Sequence, residues 1–222
     1  MKIVSAKKIL AGNDKIAREN LEFFEKEGVF VLNILGSPGA GKTSLLEALL
    51  PRLRESMPVA VIEGDLATSQ DAERVAALDV PVVQVNTEGA CHLDAAMVSS
   101  AAEALDLPRG GILFIENVGN LVCPAGFRLG EHLRLVVLSV TEGDDKVAKY
   151  PPMFQKTQAV ALNKVDLAGA LEFDEEKVRK DLERLLPGGR FFRVSARTGL
   201  GLEEVETWLR EERACRFEET SG

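Results

Sequence analysis

Eight consecutive residues, Gly36-Ser37-Pro38-Gly39-Ala40-Gly41-Lys42-Thr43, combine the residue types that hold a chain of phosphates. Gly36, Gly39 and Gly41 let backbone N–H groups close around phosphate oxygens with no Cβ in the way. Lys42 reaches the β- and γ-phosphates, and the Thr43 hydroxyl is placed to ligate Mg²⁺. Ser44 then opens a helix-forming run, residues 44–54, whose positive end faces the anion. An apolar run, residues 29–35, precedes the loop. Strand, loop and helix in that order are the context the motif requires, and they set aside a chance glycine-rich turn.

A second set selects the base. Asn163-Lys164-Val165-Asp166 follows an apolar run at residues 159–162. The Asp166 carboxylate can accept both N1–H and the exocyclic amine of guanine, a donor pair that adenine lacks. Lys164 can lay its aliphatic stem along the base. Ser195-Ala196-Arg197, at the end of a later run, resembles the Ser-Ala element that supports guanine in GTPases. GTP and GDP are therefore the expected nucleotides. Between these sets lie Glu63-Gly64-Asp65 and Glu116-Asn117-Val118-Gly119, each at the end of a strand-like run. Asp65 and Glu116 are candidates to hold Mg²⁺ or to orient the attacking water. The Gly119 N–H is a candidate contact for the γ-phosphate that moves on its loss. Asp71 is either a further member of the Mg²⁺ shell or an ordinary solvated acid at a helix start. No arginine finger is identifiable, so slow intrinsic hydrolysis is expected.

A third set is soft. Cys91 and His92 stand at or just before a helix-like run, and Cys123 lies four residues beyond Gly119. A helix start favours a thiolate at Cys91, and a neutral imidazole beside it completes an N/S pair for Zn²⁺, Ni²⁺ or Cu⁺. One chain offers three such ligands, so a closed four-coordinate site would need a second copy across a twofold axis, with Cys91 and Cys123 coming from each. Two buried cysteines and a surface histidine would have the same spacing. Cys215 and His132 have no partner in sequence and read as structural or incidental.

These residues need a scaffold that brings loop ends together. Strand-like runs at residues 29–35, 59–63, 82–85, 111–115, 135–140, 159–162 and 191–194 alternate with helical runs at 15–27, 44–54, 70–78, 93–105, 177–186 and 202–214. Most of the strands are short apolar runs rather than polar–apolar alternations, as expected where both faces are covered. The pattern predicts one α/β domain across residues 1–222: a three-layer, doubly wound, mostly parallel sheet of about seven strands, with ligands at the strands' carboxyl ends. The helix at 15–27 is expected on the sheet edge, and residues 215–222 as a frayed tail. The 222 residues suffice for one large core but not for two ordinary domains. A net charge of −8 argues against general nucleic-acid binding. No apolar run is long enough to span a membrane, and the first ten residues carry lysines but no signal-peptide core. A cytoplasmic location is expected.

The strings Asn86-Thr87…Cys91-His92-Leu93-Asp94-Ala95 and Glu116-Asn117-Val118-Gly119-Asn120-Leu121-Val122-Cys123-Pro124-Ala125 resemble the HypB family, GTPases that assist nickel insertion into [NiFe]-hydrogenase. The likeness continues through residues 141–146, Tyr150-Pro151 and residues 163–166, and covers residues 13–208. It implies a phosphate-loop fold of the SIMIBI class and a GTP-dependent homodimer. It places Ni²⁺ or Zn²⁺ on Cys91, His92 and Cys123 at the dimer interface. Other hydrogenase maturation proteins and the hydrogenase large subunit are the implied partners. It also implies that Lys146 reaches the partner subunit's nucleotide. Two features depart from the family. Residues 1–14 contain neither Cys nor His, which puts a tight N-terminal nickel site in doubt, and Glu88 replaces a frequent glycine. Competing readings are a urease accessory GTPase, whose Cys-Pro-His pattern is broken here by Ala125, a non-hydrolysing GTP-stapled metal module, and a small-molecule kinase.

Overall fold

The apolar runs become strands because helices cover both their faces. The computed structural model describes residues 6–65 and 70–218. Its strands are β1 (Phe30–Gly36), β2 (Val59–Asp65), β3 (Val82–Asn86), β4 (Ile112–Glu116), β5 (Leu133–Ser139), β6 (Ala159–Asn163) and β7 (Arg190–Arg193). Its helices are α1 (Ala6–Lys26), α2 (Lys42–Arg54), α3 (Gln70–Ala76), α4 (Ala95–Ala104), α5 (Lys146–Lys149), α6 (Pro151–Phe154), α7 (Glu175–Leu185) and α8 (Leu202–Glu218). The strands form one sheet in the order β3-β2-β4-β1-β5-β6-β7, and every adjacent pair is parallel. Among the described residues no helix is long and apolar enough to cross a membrane.

Alternation along β1 divides the core. Phe30, Leu32 and Ile34 pack with α2 and α8 on one face, beside Leu45, Leu49, Val205 and Trp208. Val31 meets Phe24 of α1 and Val98 of α4 on the other face, and Leu35 joins Met153, Phe154 and Leu182 there. Each fully buried Leu or Phe contributes about 1.5–3 kcal/mol.

Two helix boundaries differ most from expectation. Helix α1 is described from Ala6, nine residues before the expected Lys15, and lies over the sheet centre, not its edge. Asn13, before the expected start, is held by tertiary bonds, donating to the Arg128 carbonyl at 2.7 Å and accepting from the Ala95 N–H at 2.9 Å. Asn20 adds bonds to the Ala95 and Leu129 carbonyls at 2.8 and 2.9 Å. At the other end α8 runs through Glu218, so the expected tail from residue 215 is helical that far. Phe217 anchors it edge-on against His132. The rest of that expected tail, residues 219–222, and Thr68 and Ser69 lie outside the described residues. His132 is a structural residue: its Nδ1 accepts the Val31 N–H at 2.9 Å and its ring stacks on Phe30.

Candidate functional site

The carboxyl ends of β1, β2, β4 and β6 open on one edge of the sheet, and the loops there build two adjoining cavities. The first, about 380 Å³, is walled by the phosphate loop (Pro38, Gly39, Gly41, Lys42, Thr43, Ser44), the β2 end (Glu63, Gly64, Asp65), Asp71, Arg74 and the stretch from Glu116 to Gly119. The second, about 220 Å³, is walled by Asn163, Lys164, Asp166, Leu167, Ser195, Ala196 and Arg197. Gly41, Ser44 and Lys164 belong to both, so one elongated ligand can occupy the pair. Ser37 and Ala40 complete the loop between Gly36 and Lys42, and Gly36 itself ends β1.

The smaller cavity has a division of labour. Asn163 ties its walls together: its side-chain amide donates to the Ala40 carbonyl at 3.1 Å, while its Oδ1 accepts the N–H groups of Lys164 and Ala196 at 2.8 and 3.1 Å. The approach is so close that a Cβ on Gly41 would lie 2.4 Å from the Asn163 amide nitrogen, at a φ of +92°. Lys164 reaches over the phosphate loop, its Nζ donating to the Gly39 carbonyl at 2.7 Å. Asp166 accepts from Ser195 Oγ at 2.7 Å and from the Arg197 guanidinium at 2.8 Å. The Ser195 bond, then Arg197, holds its carboxyl below the ordinary value and keeps it ionised. Asn163 therefore positions, and Asp166 presents the charge.

In the larger cavity the acids sort differently from the sequence expectation. Thr43 Oγ1 donates to Glu116 Oε1 at 2.9 Å, and Lys42 Nζ is 3.9 Å from the same oxygen. The carboxylates that gather within 4.8 Å are Glu63, Asp71 and Glu116. Asp65 lines the wall but does not belong to that group. The reason is register. Glu63 pairs directly with Glu116 across β2 and β4, which puts both side chains on one face, whereas Asp65 lies two residues further on, level with Asn86. The signal was present in two strands that both carry Ile-Glu near their carboxyl ends. Arg74, also missed, holds Asp71 at 2.7 Å and Glu47 at 2.6 Å. Burial raises both Glu63, up to about 11, and Glu116; the neighbouring Glu116 carboxylate adds to the effect on Glu63. Glu63 Oε2 and Glu116 Oε2 are buried without a hydrogen-bond partner. Hard oxygen donors with unspent lone pairs suit Mg²⁺.

The soft set also converges. One ligand atom each from Cys91, His92 and Cys123 lie within 4.8 Å of one another, and Cys91 Sγ is 3.6 Å from His92 Nδ1. Cys91 is not a helix-start thiolate. Helix α4 begins at Ala95 with Asp94 as its cap, accepting the Met97 N–H at 2.8 Å, so the helix end acts on Asp94. The Cys91 thiol is instead raised, chiefly by its hydrogen bond with Cys123. Burial lowers His92 against the pull of Asp94, leaving the neutral imidazole a metal needs. The His92 ring lies 4.0 Å from that of Phe127. Arg134, fully buried, donates to the Phe127 and Ala125 carbonyls at 2.5 and 3.3 Å and pairs with Glu131, which fixes the turn after Cys123. Lys146 opens α5 and lines neither nucleotide cavity. Cys215 is an exposed free thiol on α8.

Comparison with known proteins gives consistent matches. Residues 30–193 match the family model described as CobW/HypB/UreG, nucleotide-binding domain. The chain is 50% identical over 209 residues to the hydrogenase maturation factor HypB of Azotobacter vinelandii, covering 94% of this chain and 69% of that one. It is 41% identical over 217 residues to the hydrogenase/urease maturation factor HypB of Helicobacter pylori strain 26695, covering 96% and 89%. Among solved structures, HypB from Helicobacter pylori in complex with nickel superposes with a TM-score of 0.88 at 40% identity, covering 93% and 97%. A LAO/AO transport system kinase, at 14% identity and a TM-score of 0.53, shares the fold alone.

Proposed function

The chain belongs to the CobW/HypB/UreG family, on its HypB branch, and from that membership we propose that it is a GTP-hydrolysing metallochaperone that carries nickel for hydrogenase maturation. One observation carries the coupling of the two activities. Residues 116–123 run from Glu116 in the phosphate cavity to Cys123 in the soft cluster, so a single short segment serves both.

GTP lies along the paired cavities, with its triphosphate on residues 36–43 and its base against Asp166. The Asp166 carboxylate accepts two guanine donors, and Lys164 covers the base with its stem. Thr43, Glu116, Glu63 and Asp71 would hold Mg²⁺, which would supply positive charge against the phosphates there. Lys42 stabilises the negative charge spread over the phosphate being transferred. Asp65, on the same wall, orients the attacking water. The Gly119 N–H donates to the γ-phosphate and loses that partner after hydrolysis, releasing residues 116–123.

Cys91, His92 and Cys123 bind Ni²⁺ as cargo, and Zn²⁺ competes for the same S/S/N donors. A second copy completes a four-coordinate site across a twofold axis, Cys91 and Cys123 coming from each chain. Val122, 62% exposed beside Cys123, is an apolar contact ready for that interface. GTP closes the dimer, and hydrolysis opens it and passes the metal on. The recipients are other maturation proteins and the hydrogenase large subunit. The test pairs single-turnover phosphate release from GTP and Mg²⁺ with the molar mass of the GTP-analogue complex. Phosphate release and a doubled mass are expected. A GTP-bound monomer would overturn the shared metal site, and absent phosphate release would leave a nucleotide-stapled module.

A further inference from the structure

Asn120 touches both sites. Its backbone N–H donates to the Gly36 carbonyl at 2.9 Å, forming an isolated antiparallel bridge between the end of β1 and the segment after β4. Its side-chain Nδ2 donates to the Cys91 carbonyl at 3.4 Å. Its Oδ1 accepts the N–H groups of Val122 and Cys123 at 2.7 and 3.3 Å. The first residue of the phosphate loop is thus joined through one residue to the main chain of both sulfur ligands. The neighbouring Gly119 presses the same segment on the loop: a Cβ there would stand 2.8 Å from the Pro38 nitrogen.

We infer that Asn120 is the positioning residue that converts the state of the phosphate loop into the separation of the Cys91 and Cys123 sulfurs. The inference rests on the functional reading above and names the part that does the coupling. Coupling needs an element whose contacts differ between two states that both ligands bias. The three side-chain bonds of Asn120 are unequal in a useful way. The turn bonds to residues 122 and 123 are local and move with the segment. The bond to Cys91, at 3.4 Å, is the one that crosses to a different loop, so a displacement of the bridge stretches it while the turn bonds travel along. Cys123 then travels with residue 120 while Cys91 stays with the chain before α4. A soft divalent cation gripped by both sulfurs feels that change directly.

The test reads Ni²⁺ dissociation constants by competition with a chromophoric chelator, with saturating GDP or a non-hydrolysable GTP analogue and Mg²⁺. Wild type, Asn120→Asp and Asn120→Ala are compared, with nucleotide affinity and thermal midpoint measured alongside. Asn120→Asp keeps the one oxygen that accepts both turn N–H groups and replaces the donor to Cys91 with a carboxylate oxygen, so it carries the test where alanine destabilises the loop. The expected result is a GDP-to-analogue ratio of about tenfold or more in wild type. It should fall to within about twofold of unity in both variants, with nucleotide affinity kept to within about threefold. A merely structural role would weaken Ni²⁺ binding equally in both nucleotide states and keep the ratio, which overturns the inference alone. A wild-type ratio near unity overturns the functional reading and the inference with it.

Discussion

The Gly36 carbonyl accepts the Asn120 N–H at 2.9 Å, a single antiparallel bridge on an otherwise parallel sheet. It pins the segment that carries Cys123 to the loop that carries the phosphates. Two chemistries that look separate along the chain, hard oxygen donors around Glu116 and soft donors around Cys123, therefore share one mechanical element. The proposed function needs such an element, because a nucleotide shifts a metal equilibrium only through contacts that differ between its states.

Replacing Cys123 with Ser should separate the two activities. Loss of an outer-shell partner alone typically weakens metal binding 10–100-fold, and a direct ligand should cost no less. Ni²⁺ affinity of Cys123→Ser is expected to fall by about a hundredfold or more, with GTP affinity unchanged, by chelator competition and fluorescent-nucleotide titration.

Asp166→Asn should change the base that is read. The amide loses one acceptor for guanine and gains a donor that suits the C2 carbonyl of xanthine. GTP affinity should drop by roughly a hundredfold or more, and XTP affinity should rise. Competition between the two nucleotides measures both.

Glu116→Gln should abolish turnover without unfolding the chain. Burial raises the Glu116 carboxyl, so its ionised form is disfavoured where it stands, and an amide of the same shape avoids that cost. Single-turnover hydrolysis should slow by about a hundredfold or more, while the thermal midpoint of the nucleotide-free protein stays level or rises.

The loop at residues 36–43, the cavity wall at residues 163–166 and the gathering of Cys91, His92 and Cys123 were legible because each rests on short strings whose chemistry is written in residue type. Strand positions were legible because the central strands are covered on both faces and are mostly apolar. Glu63 was passed over for Asp65, since choosing between them needs the register of β2 against β4. The state of Cys91 was misjudged because the start of α4 depends on Asp94 capping rather than on the apolar run. Helix α1 was cut short because Asn13 is held by partners more than 80 residues away in sequence. Asn120 lay within a recognised string, yet its role depends on which loops it spans, and sequence spacing does not give that.

His132 makes stability pH-dependent in a defined window. Burial, and next the Arg216 charge, press it from 6.5 down to about 4, against Glu25 and Glu131, which pull the other way. Between those values the unfolded chain binds a proton that the native one does not. The contribution of His132 is therefore whole above about pH 6.5 and is lost as pH falls toward about 4. Between pH 7.5 and 5 urea unfolding should show wild type losing about 2 kcal/mol more than His132→Asn. That variant keeps an acceptor for the Val31 N–H but does not titrate.

The central claim, that the nucleotide state governs a metal site shared by two copies, is tested most directly by Ni²⁺ stoichiometry and molar mass in the same sample. With a non-hydrolysable GTP analogue and Mg²⁺, the account predicts a dimer that binds one tightly held Ni²⁺ per two chains. Exchange to GDP should return monomers whose Ni²⁺ is released to a chelator. One Ni²⁺ per chain on a monomer, unchanged between the two nucleotides, would contradict it.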